Sequence, residues 1–146
     1  MASTTAVCNS FKLDLLLKRH DFTVAVDAFN WALYVAAATN TKSTTAYTAT
    51  NEHGATGTYV AKGITVANIT PVLSTDSAIM DWLDPTWAAS TITADSTLLF
   101  NDTITTPVAD ASVAVWDFGG PQSSSGGDFI LEMPVPAAGT AILELA

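Results

Sequence analysis

Acid–base and nucleophilic chemistry in this chain would have to use its two histidines, His20 and His53, which are the only imidazole bases in the sequence. A Ser–His–Asp arrangement needs a nucleophile, a base and an orienting group within hydrogen-bond reach of one another. The sequence has no Gly-x-Ser-x-Gly segment, the motif that presents a nucleophile on a sharp turn. We therefore predict that the chain has no catalytic residue and is not an enzyme.

Carboxylates beside aromatic rings are the second arrangement that could do chemistry. Asp81 and Asp84 flank Trp82, and Trp87 follows shortly after. Two carboxylates on either side of a cleft can hydrolyse a glycosidic bond, and neighbouring aromatic rings could then hold the sugar. Large aromatic side chains are more often buried, where they dominate the packing of a core. We favour this second interpretation and predict that Trp82 and Trp87 are core residues.

Metal and cofactor sites have little support in the residue pattern. Calcium-binding loops carry aspartates at a regular spacing before a glycine, and Asp76, Asp81 and Asp84 do not follow that spacing. Cys8 is the single cysteine, so no disulfide within the chain and no cysteine metal site is expected. His53 is predicted to be an exposed structural residue, because no other metal ligand is near it. Neither a metal nor a cofactor is predicted.

The net charge of −9 is distributed unevenly along the chain. All five cations lie within residues 1–62, whereas residues 63–146 contain carboxylates and no cation. Nucleic-acid binding needs a basic surface, since neutralising phosphates supplies much of the affinity, so no nucleic-acid partner is expected. The sequence shows no secretory signal and no apolar run of membrane-spanning length, so a soluble protein made in a cytoplasm, without a membrane partner, is expected. A basic partner surface could exploit the acidic half.

One short helix is predicted near the N-terminus, after a polar arm at residues 1–9. Asn9 or Ser10 can cap a helix that runs to about His20 with the sequence FKLDLLLKRH. Its leucines and Phe11 form an apolar face too wide for a solvated helix, so the helix should pack on a sheet or on a neighbouring subunit. Cations in its last turn would complement the helix dipole; they are Lys18, Arg19 and His20.

The remainder of the chain has the pattern of short β-strands separated by turns. The clearest strand is predicted at residues 28–35, where Phe29, Trp31 and Leu33 alternate with other residues. A strand at residues 64–73 contains Pro71, which marks a sheet edge or a bulge. The turn that follows, at residues 74–76, predicts a hairpin with the next strand.

Several turns and loops are predicted between the later strands. Residues 84–87 are expected to form a turn with Trp87 as its aromatic anchor. Strand-type segments are then expected at residues 91–93, 97–100, 111–118 and 141–145. Two loops are predicted, at residues 38–58, with Tyr47 anchoring the loop to the body, and at residues 119–127, where the sequence GGPQSSSGG is flexible by composition.

These elements predict an all-β fold. We expect a single antiparallel β-sandwich or jelly-roll-like domain over residues 10–146, with one short N-terminal helix. A chain of 146 residues is long enough to bury its own core as one domain.

Five segments occur in order and together span nearly the whole chain; they are CNSFKLDLLLKRHDF (8–22), FNWALYVAAAT (29–39), TTAYTATNE (44–52), DPTWAASTITA (84–94) and VAVWDFGG (113–120). Together these segments resemble a family of small virion structural proteins of tailed bacteriophages. One departure from the family's pattern follows residue 94, where this chain has Asp95-Ser96-Thr97 in place of an Arg-Gly-Ala run.

The resemblance implies a non-enzymatic, β-rich component of the virion. Within that family we favour a head decoration, or cement, protein on the outer capsid surface. Such a protein is expected to form a homotrimer and to have the major capsid protein as its partner. The alternative is a tail- or fibre-associated adhesin that contacts the host surface through the loop at 39–57 or the loop at 119–127. A small glycan-acting enzyme is a third class, which we favour least.

The candidate docking element is the N-terminal arm and helix. This segment holds three of the five cations and the over-wide apolar face. The residues predicted to dock onto the capsid or another partner are Phe11, Lys12, Leu15, Lys18 and Arg19.

Overall fold

The computed structural model of the chain, described over residues 2–146, is mostly β-structure, with 39% strand and 6% helix. The all-β class with antiparallel sheets and one short helix is therefore confirmed. In chain order the elements are β1 (Ala6–Val7), α1 (Asn9–Leu16), β2 (Phe29–Tyr34), β3 (Ile64–Thr65), β4 (Val72–Ser74), β5 (Ser77–Met80), β6 (Thr86–Ser90), β7 (Thr93–Asn101), β8 (Ala111–Ser123), β9 (Gly127–Ile130) and β10 (Leu143–Leu145).

The principal sheet has five antiparallel strands in the order β1-β8-β7-β2-β3. β2 lies between β7 and β3, and all six of its residues are buried. Alternation in the sequence predicted one buried face for this strand; both are buried because each face is covered by other segments. Trp82 packs edge-on against Phe29 and Trp31 on one face. On the other, the ring of Tyr47 stacks on Phe100 of β7.

Two smaller sheets complete the fold, one of three strands (β10-β5-β4) and one of two (β6-β9). The predicted hairpin is confirmed: Ser74 of β4 pairs with Ser77 of β5, and Thr75, with a φ of 56°, lies in the two-residue turn between them. Trp87 lies inside β6 and pairs with Phe129 of β9, so the prediction that it belongs to a turn was wrong. The turn ends before it, because pairing with β9 makes residues 86–90 a strand.

The N-terminal segment is bound to the principal sheet. Ala6 and Val7 form β1 along the edge of β8, and the backbone N–H of Thr4 donates to the carbonyl of Asn40. Of the two helix caps that were predicted, neither is observed, because the N-cap is Cys8. Cys8 is fully buried and its N–H donates to Val113 of β8, which fixes where the helix begins.

The helix ends earlier than predicted, at Leu16 rather than near His20. Lys18 adopts a φ of 56°, a left-handed conformation that cannot continue a helix. The three cations therefore lie beyond the last turn, and the prediction that they complement the helix dipole was wrong. Arg19 instead pairs with the carboxylate of Asp14, and His20 is buried.

The segment at residues 119–127 is mostly strand, so its prediction as one flexible loop was wrong. β8 continues to Ser123, and Gln122 and Ser123 pair with the beginning of β7. The residues of β8 before Gln122 form a β-bulge opposite β7. Gly119 and Gly120 lie in this bulge and adopt its positive φ values of 75° and 142°. Only residues 124–126 remain as a turn before β9.

The long connection between β2 and β3 has no regular element and is held by one carboxylate. Glu52 accepts hydrogen bonds from the hydroxyls of Tyr47 and Tyr59 and from the backbone N–H of Lys62. With its ring stacked on Phe100, Tyr47 anchors this connection to the sheet, as the sequence predicted. These contacts make the connection a packed layer over the sheet.

Candidate functional site

The most apolar exposed surface on the helix is formed by three leucines, Leu13, Leu16 and Leu17, which we call the leucine face. Their exposed fractions are 57%, 83% and 50%. Residues separated by three and four positions lie on the same side of a helix, so the three side chains are neighbours. Single exposed leucines are common on proteins, whereas adjoining ones indicate a contact surface.

Two exposed cations, Lys12 and Lys18, lie beside the leucine face in sequence. Neither side chain makes a salt bridge with any residue that the structure describes. Lys12 lies within α1 and Lys18 lies two residues beyond its end, in a chain whose net charge is −9. The geometry therefore combines apolar area with two available positive charges.

Of the five predicted docking residues, two are exposed in the structure and three are buried or engaged by other residues of the chain. Lys12 and Lys18 are exposed and remain available to a partner. Phe11 is 4% exposed and belongs to the core, and Leu15 is partly buried against that core. The fifth residue, Arg19, is only partly exposed and is engaged by Asp14. Docking through Phe11 would require the helix to leave the sheet.

The sequence did not identify the leucine face, because the apolar residues of this helix extend too far around it to show which side is buried. The sequence placed Phe11 and Leu15 in the same stripe as the three leucines, and only contact with β8 and the aromatic cluster orients the helix. The width of the apolar stripe could have indicated an exposed leucine surface. One helix face cannot bury all five of these apolar residues against one sheet.

His20 fixes the chain that follows the helix. Its ring packs against those of Phe11 and Phe22, at centroid distances of 4.9 and 6.1 Å. The side-chain amide of Asn101 donates to Nδ1 of His20 at 3.1 Å and also to the carboxylate of Asp27. Burial lowers the pKa of His20, which favours the neutral ring that can accept this hydrogen bond. The helix end is therefore tied to the last residue of β7.

The acidic and aromatic residues that suggested sugar chemistry do not form an exposed platform. Trp82 and Trp87 are 1% and 2% exposed, which confirms the prediction that they are core residues. Asp84 is exposed, and one of its carboxylate oxygens accepts the backbone N–H of Met133. Asp81 is buried, so the two carboxylates do not share a solvent-exposed site.

Asp81 gives a testable pH dependence. Oδ1 accepts the backbone N–H of Trp82, Oδ2 has no partner within residues 2–146, and burial raises the pKa of the carboxyl above its ordinary value of 3.8. The folded protein therefore holds this proton more tightly than the unfolded chain, and stability is lost as pH rises through the raised pKa. We expect wild type to gain stability relative to Asp81→Asn on acidification from pH 7 towards 4.

Urea unfolding of both proteins at several pH values measures this difference, since the variant keeps the Oδ1 acceptor but does not titrate. A constant difference in unfolding free energy across that range, or one of opposite sign, would contradict the interpretation of Asp81 as a buried carboxyl destabilised by its own charge.

His53 has a structural role in the connection between β2 and β3. Its Nδ1–H donates to the carbonyl of Gly54, and Nε2 accepts the backbone N–H of Thr93 at 3.3 Å. Its ring meets that of Tyr59 edge-on. The side chain is half-buried, so the prediction of an exposed residue was only partly right. Within the described residues, no group of three or more His, Cys, Asp or Glu side chains could hold a metal ion.

Comparison with protein-family models, curated proteins and solved structures finds no match to this chain. Among residues 2–146, no helix has the length and apolar character needed to cross a membrane.

Proposed function

We propose that this chain is a non-enzymatic virion structural protein of a tailed bacteriophage, most specifically a decoration protein of the outer capsid surface. The leucine face is the observation that carries the proposal within the structure. The second support is the ordered resemblance of five segments along the chain. The partner is the major capsid protein, and the functional unit is a homotrimer.

Docking through the leucine face stabilises the capsid by a simple physical route. Fully burying one leucine contributes about 1.5–3 kcal/mol, and exposed leucines on this helix have most of that still to gain. A decoration protein that covers a joint between capsid subunits adds buried apolar area to the joint. Separating the subunits under the pressure of packaged DNA must then also expose that area.

Lys12 and Lys18 contribute orientation more than affinity. Exposed ion pairs contribute only about 0–1 kcal/mol each, but charges at an interface steer encounter and fix its register. A carboxylate-bearing patch on the capsid surface is the complementary partner for them. The leucines supply the contact area, and the lysines align it.

The jelly-roll arrangement belongs to this proposal as well. The packing of Trp82 on Phe29 and Trp31 places the segment after β5 over one face of the principal sheet. A second β layer facing the first, as in a sandwich, accounts for that contact.

Rebinding to capsids tests the proposal. We expect purified protein to rebind to particles stripped of it and to raise the temperature at which DNA is released. Leu13→Ser combined with Leu16→Ser should weaken rebinding by at least about tenfold, because each removes apolar contact area that desolvates on docking. Both positions are exposed, so the fold should tolerate the change.

The matched control is Leu73→Ser combined with Leu145→Ser. These two leucines are 76% and 62% exposed in the three-stranded sheet, away from the helix in sequence. Equal loss of rebinding in the control would show that the leucine face is not the docking surface. Failure of wild type to rebind to heads, together with its location on the tail in a particle reconstruction, would favour the tail-associated alternative.

A further inference from the structure

A cleft of about 680 Å³ opens between β8, β9 and the C-terminal segment at 131–142. The cleft exists because β8 and β9, which are consecutive in the chain, pair with different strands. After the turn at residues 124–126, β9 pairs with β6, whereas the end of β8 pairs with β7. The C-terminal segment closes one side of the resulting gap. Its volume lies in the range of about 300–1,000 Å³ that is typical of ligand sites.

The walls of this cleft are largely apolar and aromatic. Trp31 and Trp116 form the stacked pair in its lining, with ring centroids 5.1 Å apart and planes 28° from parallel. Trp31 is almost fully buried, and its Nε1–H has no hydrogen-bond partner in the part of the chain that the structure describes. Phe129 and Met133 also line the cleft.

The charge of the lining is entirely negative. Asp117, Asp128 and Glu132 are exposed carboxylates in the lining, and no Lys, Arg or His is found among the lining residues that the structure describes. The asymmetry of the sequence reinforces this, since residues 63–146 contain no cation. An apolar occupant would gain nothing from these charges, whereas a cationic one would be attracted to them and to the exposed part of Trp116.

One edge of β9 is also unpaired. β9 has a single neighbour in the described sheets, β6, so its other edge presents backbone N–H and C=O groups. Residues 128–130 of β9 line the cleft. An extended peptide can add to such an edge by backbone hydrogen bonds while its side chains occupy the adjoining pocket.

We propose that this cleft binds an extended segment of another polypeptide that carries an arginine or lysine between apolar residues. The cation lies among Asp128, Glu132 and the ring of Trp116. The flanking apolar side chains cover Phe129 and Met133, and a carbonyl of the bound segment is the acceptor that the indole N–H of Trp31 lacks. That nitrogen is covered by its neighbours, so this last bond forms only as the lining side chains shift. The site is separate from the leucine face and does not depend on the proposed capsid role.

Binding of a synthetic peptide to the purified full chain tests this inference. The probe is a capped hexapeptide with one arginine flanked by leucines, and its matched control replaces arginine with citrulline, which has a similar shape but no charge. Calorimetry and tryptophan fluorescence should show saturable binding of the arginine peptide and weaker binding of the citrulline peptide. Asp128→Asn combined with Glu132→Gln should reduce the affinity roughly fivefold, as expected for two partly screened charges.

Asp76→Asn is the matched control within the protein. Asp76 is an exposed carboxylate in the turn between β4 and β5 and is not among the residues that line the cleft. This variant should bind the arginine peptide like wild type. Absence of binding, equal binding of the two peptides, an equal loss in Asp76→Asn, or displacement of the peptide by a neutral glucan oligosaccharide would each overturn the inference.

Discussion

Gly63→Ala is expected to destabilise the protein by at least about 3 kcal/mol, or to prevent folding. Gly63 precedes β3 and has a φ of 71°, in the left-handed region that alanine adopts only with strain. A Cβ at this position would collide with the backbone carbonyl of Trp31 and lie 2.8 Å from the Cα of Ala32. Neither backbone atom can move away, because both belong to β2, which is buried and paired with a strand on each side in the principal sheet. The strain of the left-handed conformation and the steric overlap of the Cβ therefore both contribute to the loss of stability.

The matched control for this variant is Gly57→Ala. Gly57 has a similar φ of 57°, but a Cβ there would meet no atom within 4 Å. We expect this variant to lose only the conformational part, about 1–2 kcal/mol. Chemical unfolding of both variants gives the comparison, provided that the denaturant slope is unchanged. Similar stabilities for the two variants would show that the close approach of β3 to β2 does not require glycine.

Trp82→Ala is expected to cost about 3–5 kcal/mol of unfolding free energy. The Trp82 indole lies 5.4 Å from the ring of Phe29, 6.1 Å from that of Trp31 and 6.2 Å from that of Phe22, in each case edge-on. Its removal leaves a cavity between the principal sheet and the segment packed over it. Because aromatic pairs contribute beyond their buried area, the loss should fall near the upper part of that range.

Leu83→Ala provides the control at the adjacent residue. Leu83 is 59% exposed, and its backbone N–H donates to the carbonyl of Ala67, a hydrogen bond that alanine keeps. We expect a change within about 0.5 kcal/mol, as for most surface substitutions. A small effect of Trp82→Ala, comparable with that of Leu83→Ala, would mean that the cluster around Phe29 and Trp31 does not depend on this side chain.

Predictions that rested on local pattern were the most successful. Alternation located β2, and the short polar turn before Ser77 predicted the β4–β5 hairpin, because both depend on the conformations of a few neighbouring residues. The burial of Trp82 followed from the tendency of large aromatic side chains to dominate the packing of a core. In contrast, the helix end was misplaced by several residues, because the left-handed conformation of Lys18 is not encoded in the apolar pattern.

The segment at residues 119–127 shows why composition can mislead. Glycine and serine predict flexibility when no partner is present. In this fold β7 supplies hydrogen-bond partners to Gln122 and Ser123, and the glycines accommodate the bulge that precedes them. Pairing between strands distant in sequence thus overrode the local preference.

The sequence by itself determined the all-β class, the presence of one N-terminal helix, the burial of the tryptophans at 82 and 87, and the separation of charge between the two halves. Only the tertiary structure decided which leucines of the helix remain exposed and that residues as distant as Trp31, Trp116 and Phe129 line one cleft. The physical reason is that burial and strand pairing arise from long-range contacts. A local pattern records which residues prefer to be buried or extended, but the partner that covers them comes from elsewhere in the chain.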